Sequence, residues 1–149
     1  MPKQLTRGAI IAGLYIAITF ALAPVGFGIV QFRASEALTA LPILYPEATF
    51  GLYIGVLLAN FLGGFGFVDI FFGSLITLAA AFLTYRTRDS WLAYLWPIVL
   101  NGFLVSIYLA PIVGVPYWVS VLSLSVSEAV VVLGLGYPLV RWLRSRGIG

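Results

Sequence analysis

A run of 26 residues, Val115–Val140, carries a single charged side chain, Glu128. Its length exceeds the roughly 20 apolar residues with which an α-helix crosses the hydrocarbon core of a bilayer, so the segment reads as a spanning helix with an acid near mid-depth. An ionised carboxylate there costs on the order of 2.5–3.5 kcal/mol even on insertion-based scales. Such residues hold a ligand, an ion or a proton, or meet a buried partner. The chain as a whole has the same character, 62% hydrophobic and 9% charged, against roughly 45–50% and 25% for soluble domains. The expected fold is an all-α integral membrane protein in one domain, residues 1–149, whose length supplies at most about seven spans and leaves no room for a soluble domain.

Six apolar stretches are candidate crossings: Gly8–Ala23, Val30–Tyr45, Pro46–Leu62, Asp69–Tyr85, Trp91–Ile112 and Val115–Trp142. The second has a short apolar part behind Arg33 and Glu36, and a re-entrant half-helix is the alternative reading for it. The basic residues favour six crossings. Lys3, Arg7, Arg86, Arg88, Arg141, Arg144 and Arg146 then share one side and only Arg33 lies opposite, which satisfies the positive-inside bias for seven of eight. Both termini are expected in the cytoplasm. The amino-terminal stretch has the charge and apolar run of a secretory signal, but Pro24 directly after its small residues opposes cleavage, so it reads as a retained first helix.

The chain has no cysteine and no histidine, which excludes thiolate and imidazole metal sites, thiol nucleophiles and the commonest general base. No G-x-x-x-x-G-K-[ST] phosphate loop is present. The chain is expected to have no catalytic residue, metal or cofactor of its own and no nucleic-acid partner; among acid–base arrangements only a Glu36/Glu128 pair survives.

In the six-crossing topology Asn101 and Glu128 lie at similar depth on the last two helices and can face one pocket, with a direct structural pair as the alternative. Arg33 and Glu36 sit three apart, the spacing of a helical ion pair. Asp69 opens the fourth helix, where capping is the simpler role, and Asn60 ends the third. Of the many aromatics in the outer half, Tyr117 and Trp118 after Pro116 are the first candidates to stack on a flat ligand; membership of the interfacial belt is the alternative for all of them. The Gly63–Val68 loop is a candidate lid. Ala9, Gly13, Ala17 and Ala21 repeat every fourth residue on the first helix, a small-residue stripe suited to close helix contact, with a partner or within the bundle.

The run Gln31-Phe32-Arg33-Ala34-Ser35-Glu36-Ala37-Leu38-Thr39 with Leu41-Pro42, then Gly51-Leu52-Tyr53-Ile54-Gly55, Leu58-Ala59-Asn60 and Asp69-Ile70-Phe71-Phe72-Gly73-Ser74-Leu75, resembles the QueT family. These are queuosine-precursor substrate-binding subunits of energy-coupling factor transporters. Pro97, Asn101-Gly102 and Glu128 extend the resemblance along nearly the whole chain. It implies a six-helix subunit of a prokaryotic cell membrane that associates with a membrane coupling protein and two cytoplasmic ATPases, which use the ATP. It also implies docking on the coupling protein through Ala9, Gly13, Ala17 and Ala21, with glycine where similar subunits have alanine. The implied substrate is a 7-deazaguanine such as 7-aminomethyl-7-deazaguanine. Its two adjacent N–H donors suit Glu128, its exocyclic oxygen suits the Asn101 amide, and Glu36 or Asp69 would oppose its cationic arm. The competing functional readings are a subunit for another vitamin, a solitary ion- or proton-coupled carrier, and a structural membrane subunit.

Overall fold

The computed structural model describes residues 1–23, 32–64 and 66–148, and among these every regular element is helical. The first helix is Pro2–Ala21, and Ala34–Ile43 forms a 3-10 helix. The third helix is Ala48–Gly63, followed by the fourth, Asp69–Arg86, the fifth, Leu92–Val113, and the sixth, Tyr117–Ser145. The first, fourth, fifth and sixth are long and apolar enough to cross a membrane; the third is a shorter apolar helix of 16 residues. Gly64 and Gly114 end the third and fifth helices at φ 68° and 78°, the left-handed conformation that glycine adopts without a Cβ clash.

The second sequence segment is described from residue 32 onward, its first two residues lying outside the described ones. Its described part is a ten-residue 3-10 helix, roughly 20 Å long at about 2.0 Å per residue, short of a hydrocarbon core of about 30 Å. Ser35 to Ile43 are all buried. Pro42 has no N–H to give to a helical ladder, and Thr39 Oγ1 donates to the Glu36 carbonyl at 2.5 Å. This segment is the centre of the bundle. Leu38 and Leu41 pack with Ile11, Tyr15, Leu52, Val56 and Ala81 on one side, while Ala40 and Ile43 pack with Ala93, Val132 and Val140 on the other.

Glycines set the closest helix approaches. A Cβ at Gly51 would lie 2.6 Å from the Gly8 carbonyl oxygen, and one at Gly55 would lie 3.1 Å from Tyr15 Cβ. The first helix thus buries Ile11, Ala12, Tyr15 and Thr19 against the third helix and the 3-10 segment. Gly136 brings the sixth helix onto the 3-10 segment, where a Cβ would meet the Ala37 carbonyl oxygen at 2.9 Å.

One end of the bundle collects the chain ends. Arg7 pairs with Glu47 at 2.7 Å and lies over the Tyr45 ring at 4.5 Å, and the Tyr45 hydroxyl donates to the Ile148 carbonyl at 2.5 Å. Arg88 and Arg144 share a groove with Ile43 at this end.

Candidate substrate-binding site

Three of the long helices contain a π-helical turn: Asp69–Gly73, Asn101–Val105 and Val132–Gly136. Such turns shift the helical register and recur at functional sites. The second follows Pro97, which cannot donate to the Ala93 carbonyl four residues back. Thr84 Oγ1 donates to that carbonyl at 3.0 Å instead, so the fifth helix stays anchored to the fourth where its ladder is interrupted. Asp69 and Asn101 each open a π turn, and both line the same internal cavity.

That cavity is small, about 30 Å³, room for a water or two, so a larger ligand requires its walls to part, and it is lined by Arg33, Glu36, Asn60, Asp69, Asn101 and Glu128 together with Thr77, Tyr108, Gly73 and the apolar Val56, Val105 and Leu124. Three separate stretches of chain supply its charges. Arg33 Nη2 lies 3.6 Å from Asp69 Oδ2, and Arg33 Nη1 donates to Asn60 Oδ1 at 3.4 Å. Asn60 Nδ2 in turn donates to the Asp69 carbonyl at 3.0 Å, and the Tyr108 hydroxyl donates to Asp69 Oδ1 at 2.5 Å. Gly73 makes this cluster possible, because a Cβ there would come within 2.7 Å of Asp69 Oδ1 and 3.2 Å of Asn60 Nδ2 and the Tyr108 hydroxyl.

The two glutamates are held differently. Glu36 is 5% exposed, and its Oε1 accepts a hydrogen bond from the fully buried Tyr15 hydroxyl. Its Oε2 is buried with no hydrogen-bond partner among the described residues. The Asn101 side chain interacts with the Glu128 carboxyl, yet Glu128 Oε2 is likewise buried and unpartnered. One turn away Gly102 abuts Ser125, leaving no room for a side chain between the fifth and sixth helices. A buried polar atom without a partner is uncommon in folded proteins and carries a desolvation penalty. Here the two glutamates that carry such oxygens line one hollow, an arrangement suited to a ligand that donates hydrogen bonds.

Six of the residues read from the sequence as binding residues therefore meet in one place: Arg33, Glu36, Asn60, Asp69, Asn101 and Glu128. Tyr117 and Trp118 do not line the cavity. Trp118 is 65% exposed and stands edge-on to Phe103 at 6.4 Å, and the Tyr117 hydroxyl donates to the Phe103 carbonyl at 3.0 Å, which places both on the outer surface of the last two helices. Arg33 reaches Asp69 and Asn60 and also acts electrostatically on Glu36, three residues along. Gln31, and Phe65 within the Gly63–Val68 loop, lie outside the described residues. Ala9, Gly13, Ala17 and Ala21 are all exposed, on the face of the first helix away from its buried residues, and a Cβ at Gly13 would touch nothing within 4 Å. Tyr15 and Tyr108 complete the site without having been singled out for it; the one available sign was that a buried tyrosine hydroxyl seeks a partner.

Residues 5–145 match the profile of the family described as QueT transporter. Over 72 residues the chain is 36% identical to the queuosine precursor transporter QueT of Lactococcus lactis subsp. cremoris (strain MG1363), an alignment covering 47% of this chain and 42% of that protein. The aligned part thus spans less than half of the relative's length. No solved structure matches the chain.

Proposed function

Since the chain belongs to the QueT transporter family, a family of multi-pass membrane proteins and not of enzymes, we propose that it is the substrate-binding membrane subunit of an energy-coupling factor importer, capturing a 7-deazaguanine precursor of queuosine from outside the cell. The observation that carries this reading is the buried, unpartnered Oε2 of Glu128 beside Asn101 in an internal cavity. A carboxylate accepts the two adjacent N–H donors of a guanine-like edge, and a carboxamide both donates and accepts. Together they match the polar edge of the base, while Val56, Val105 and Leu124 offer apolar surface to its ring.

Positive-inside orientation assigns the end that carries Arg7, Arg88 and Arg144 to the cytoplasm, so the Asp69 end of the cavity faces outward. The exposed small-residue stripe on the first helix serves as the docking face for the membrane coupling protein, and two ATPases bound to that protein supply the energy.

The test is mass spectrometry of small molecules released from the purified protein, followed by calorimetric titration with 7-deazaguanines, with riboflavin and thiamine as controls. Glu128→Gln should weaken deazaguanine binding by about 1.5–3 kcal/mol, the value of a charge-assisted hydrogen bond. Wild-type affinity in that variant removes Glu128 from the site. Tight binding of a vitamin and none of a deazaguanine overturns the substrate, and uptake that persists without any ATPase overturns the importer assignment.

A further inference from the structure

A second polar hollow lies at the end of the bundle that gathers the chain ends, and it shares no lining residue with the central cavity. It is a groove of about 330 Å³ between the turn that joins the fourth and fifth helices, the end of the 3-10 segment at Ile43, and the last turns of the sixth helix. Arg88 lines it from the turn and Arg144 from the sixth helix. Asp89 lines it too, yet neither guanidinium has a carboxylate within ion-pair distance among the described residues. Two guanidinia against one carboxylate leave the groove positive. The other wall is aromatic: Trp91 and Tyr137 stack at 5.5 Å with 17° between their planes, and Tyr94 stands edge-on to Tyr137 at 5.5 Å. Arg144 acts electrostatically on Tyr94, so the cationic and aromatic walls meet. Trp91 is 63% exposed, the setting in which tryptophan sits at the level of lipid headgroups.

The arginines call for an anion, and phosphate oxygens match the forked donors of a guanidinium. A free phosphate would use only that half of the groove. Basic pockets between spanning helices hold anionic lipid headgroups, and a lipid also offers a glycerol and the first acyl carbons to the aromatic half. We infer that this groove binds the headgroup of an anionic phospholipid, with Arg88 and Arg144 on its phosphate and the Trp91–Tyr137 stack beside its glycerol. One lipid then ties the turn after the fourth helix to the end of the sixth.

The experiment is native mass spectrometry of the full chain, purified in detergent and stripped of lipid, then titrated with phosphatidylglycerol and with phosphatidylcholine of the same acyl chains, whose choline cation the arginines repel. Wild type should bind phosphatidylglycerol at least about fivefold more tightly, the factor of one basic residue at an anionic surface. Arg88→Gln and Arg144→Gln should each lower that affinity about fivefold, and Asp89→Asn should raise it by a similar factor. Arg146→Gln should leave it unchanged, since that guanidinium lies over Trp142 at 5.4 Å and does not line the groove. Arg88 and Arg144 are exposed, so their loss spares the fold. Equal affinities for the two lipids in wild type overturn the inference whatever the variants do. An equal loss in Arg146→Gln assigns the attraction to diffuse surface charge and overturns the groove, and displacement of the lipid by an equal concentration of inorganic phosphate makes the occupant a free anion. Lipid affinity unchanged in both arginine variants, with co-purification of a protein partner lost, makes the groove a protein-docking surface and overturns the lipid.

Discussion

The Tyr108 hydroxyl donates to Asp69 Oδ1 at 2.5 Å, tying the fifth helix to the first turn of the fourth across 39 residues of sequence. Asp69 also meets Arg33, and its backbone carbonyl accepts from Asn60, so this bond belongs to a network that fixes one wall of the cavity.

Tyr108→Phe should therefore lower stability by about 1–3 kcal/mol, the penalty of a buried acceptor losing its donor. Thermal unfolding in detergent checks this, with Asn60→Ala expected to fall in the same range because it unties the same carboxylate residue.

Gly73→Ala tests the room that the network needs. The added methyl would sit 2.7 Å from Asp69 Oδ1, and the forced shift should cost about 1–3 kcal/mol as overpacking does. Ligand affinity should drop with it, measured by titration on the folded fraction, since Asn60 and Tyr108 are pushed from the same spot.

Thr84→Val should destabilise by about 1–3 kcal/mol although it adds no bulk, because it strips the Ala93 carbonyl of the donor that stands in for the missing N–H of Pro97. Restoring a backbone donor with Pro97→Ala in the Thr84→Val background should recover part of the loss. A double-mutant cycle of the four proteins reads that coupling directly.

Two glycines on neighbouring faces should separate folding from assembly. Gly51→Ala places a methyl 2.6 Å from the Gly8 carbonyl oxygen and should destabilise the bundle by about 1–3 kcal/mol. Gly13→Leu meets nothing within the protein and should leave unfolding and ligand affinity unchanged while abolishing co-purification with the coupling protein. Retained co-purification would dismiss the stripe as a docking face.

What could be read without coordinates follows the physics of each signal. The apolar runs from Asp69, Trp91 and Val115 correspond to three long helices, since a span declares itself by length and hydropathy alone. The run up to Tyr45 declared only that it is buried. Whether lipid or protein surrounds it, and whether it winds as an α- or a 3-10 helix, depends on neighbours that arrive later in the chain; Pro42 was the one local hint. Asn101 and Glu128 were legible as a pair because similar depth on successive helices brings them level. Tyr15 was not, because an aromatic in an apolar helix gives no sign of the carboxylate that only the fold carries to it from 21 residues away. Tyr117 and Trp118 follow a proline turn near the mouth, but the direction of their rings is set by Phe103, which no spacing rule reveals.

The first helix is gripped along Gly8, Ala12 and Tyr15 by the third, and its small-residue stripe looks the opposite way. On the docking proposed above, joining and leaving a larger assembly requires no rearrangement of the grip that keeps the subunit folded. Mutations on one surface would then accumulate without disturbing the other, and the partner module could change while the cargo chemistry stays the same.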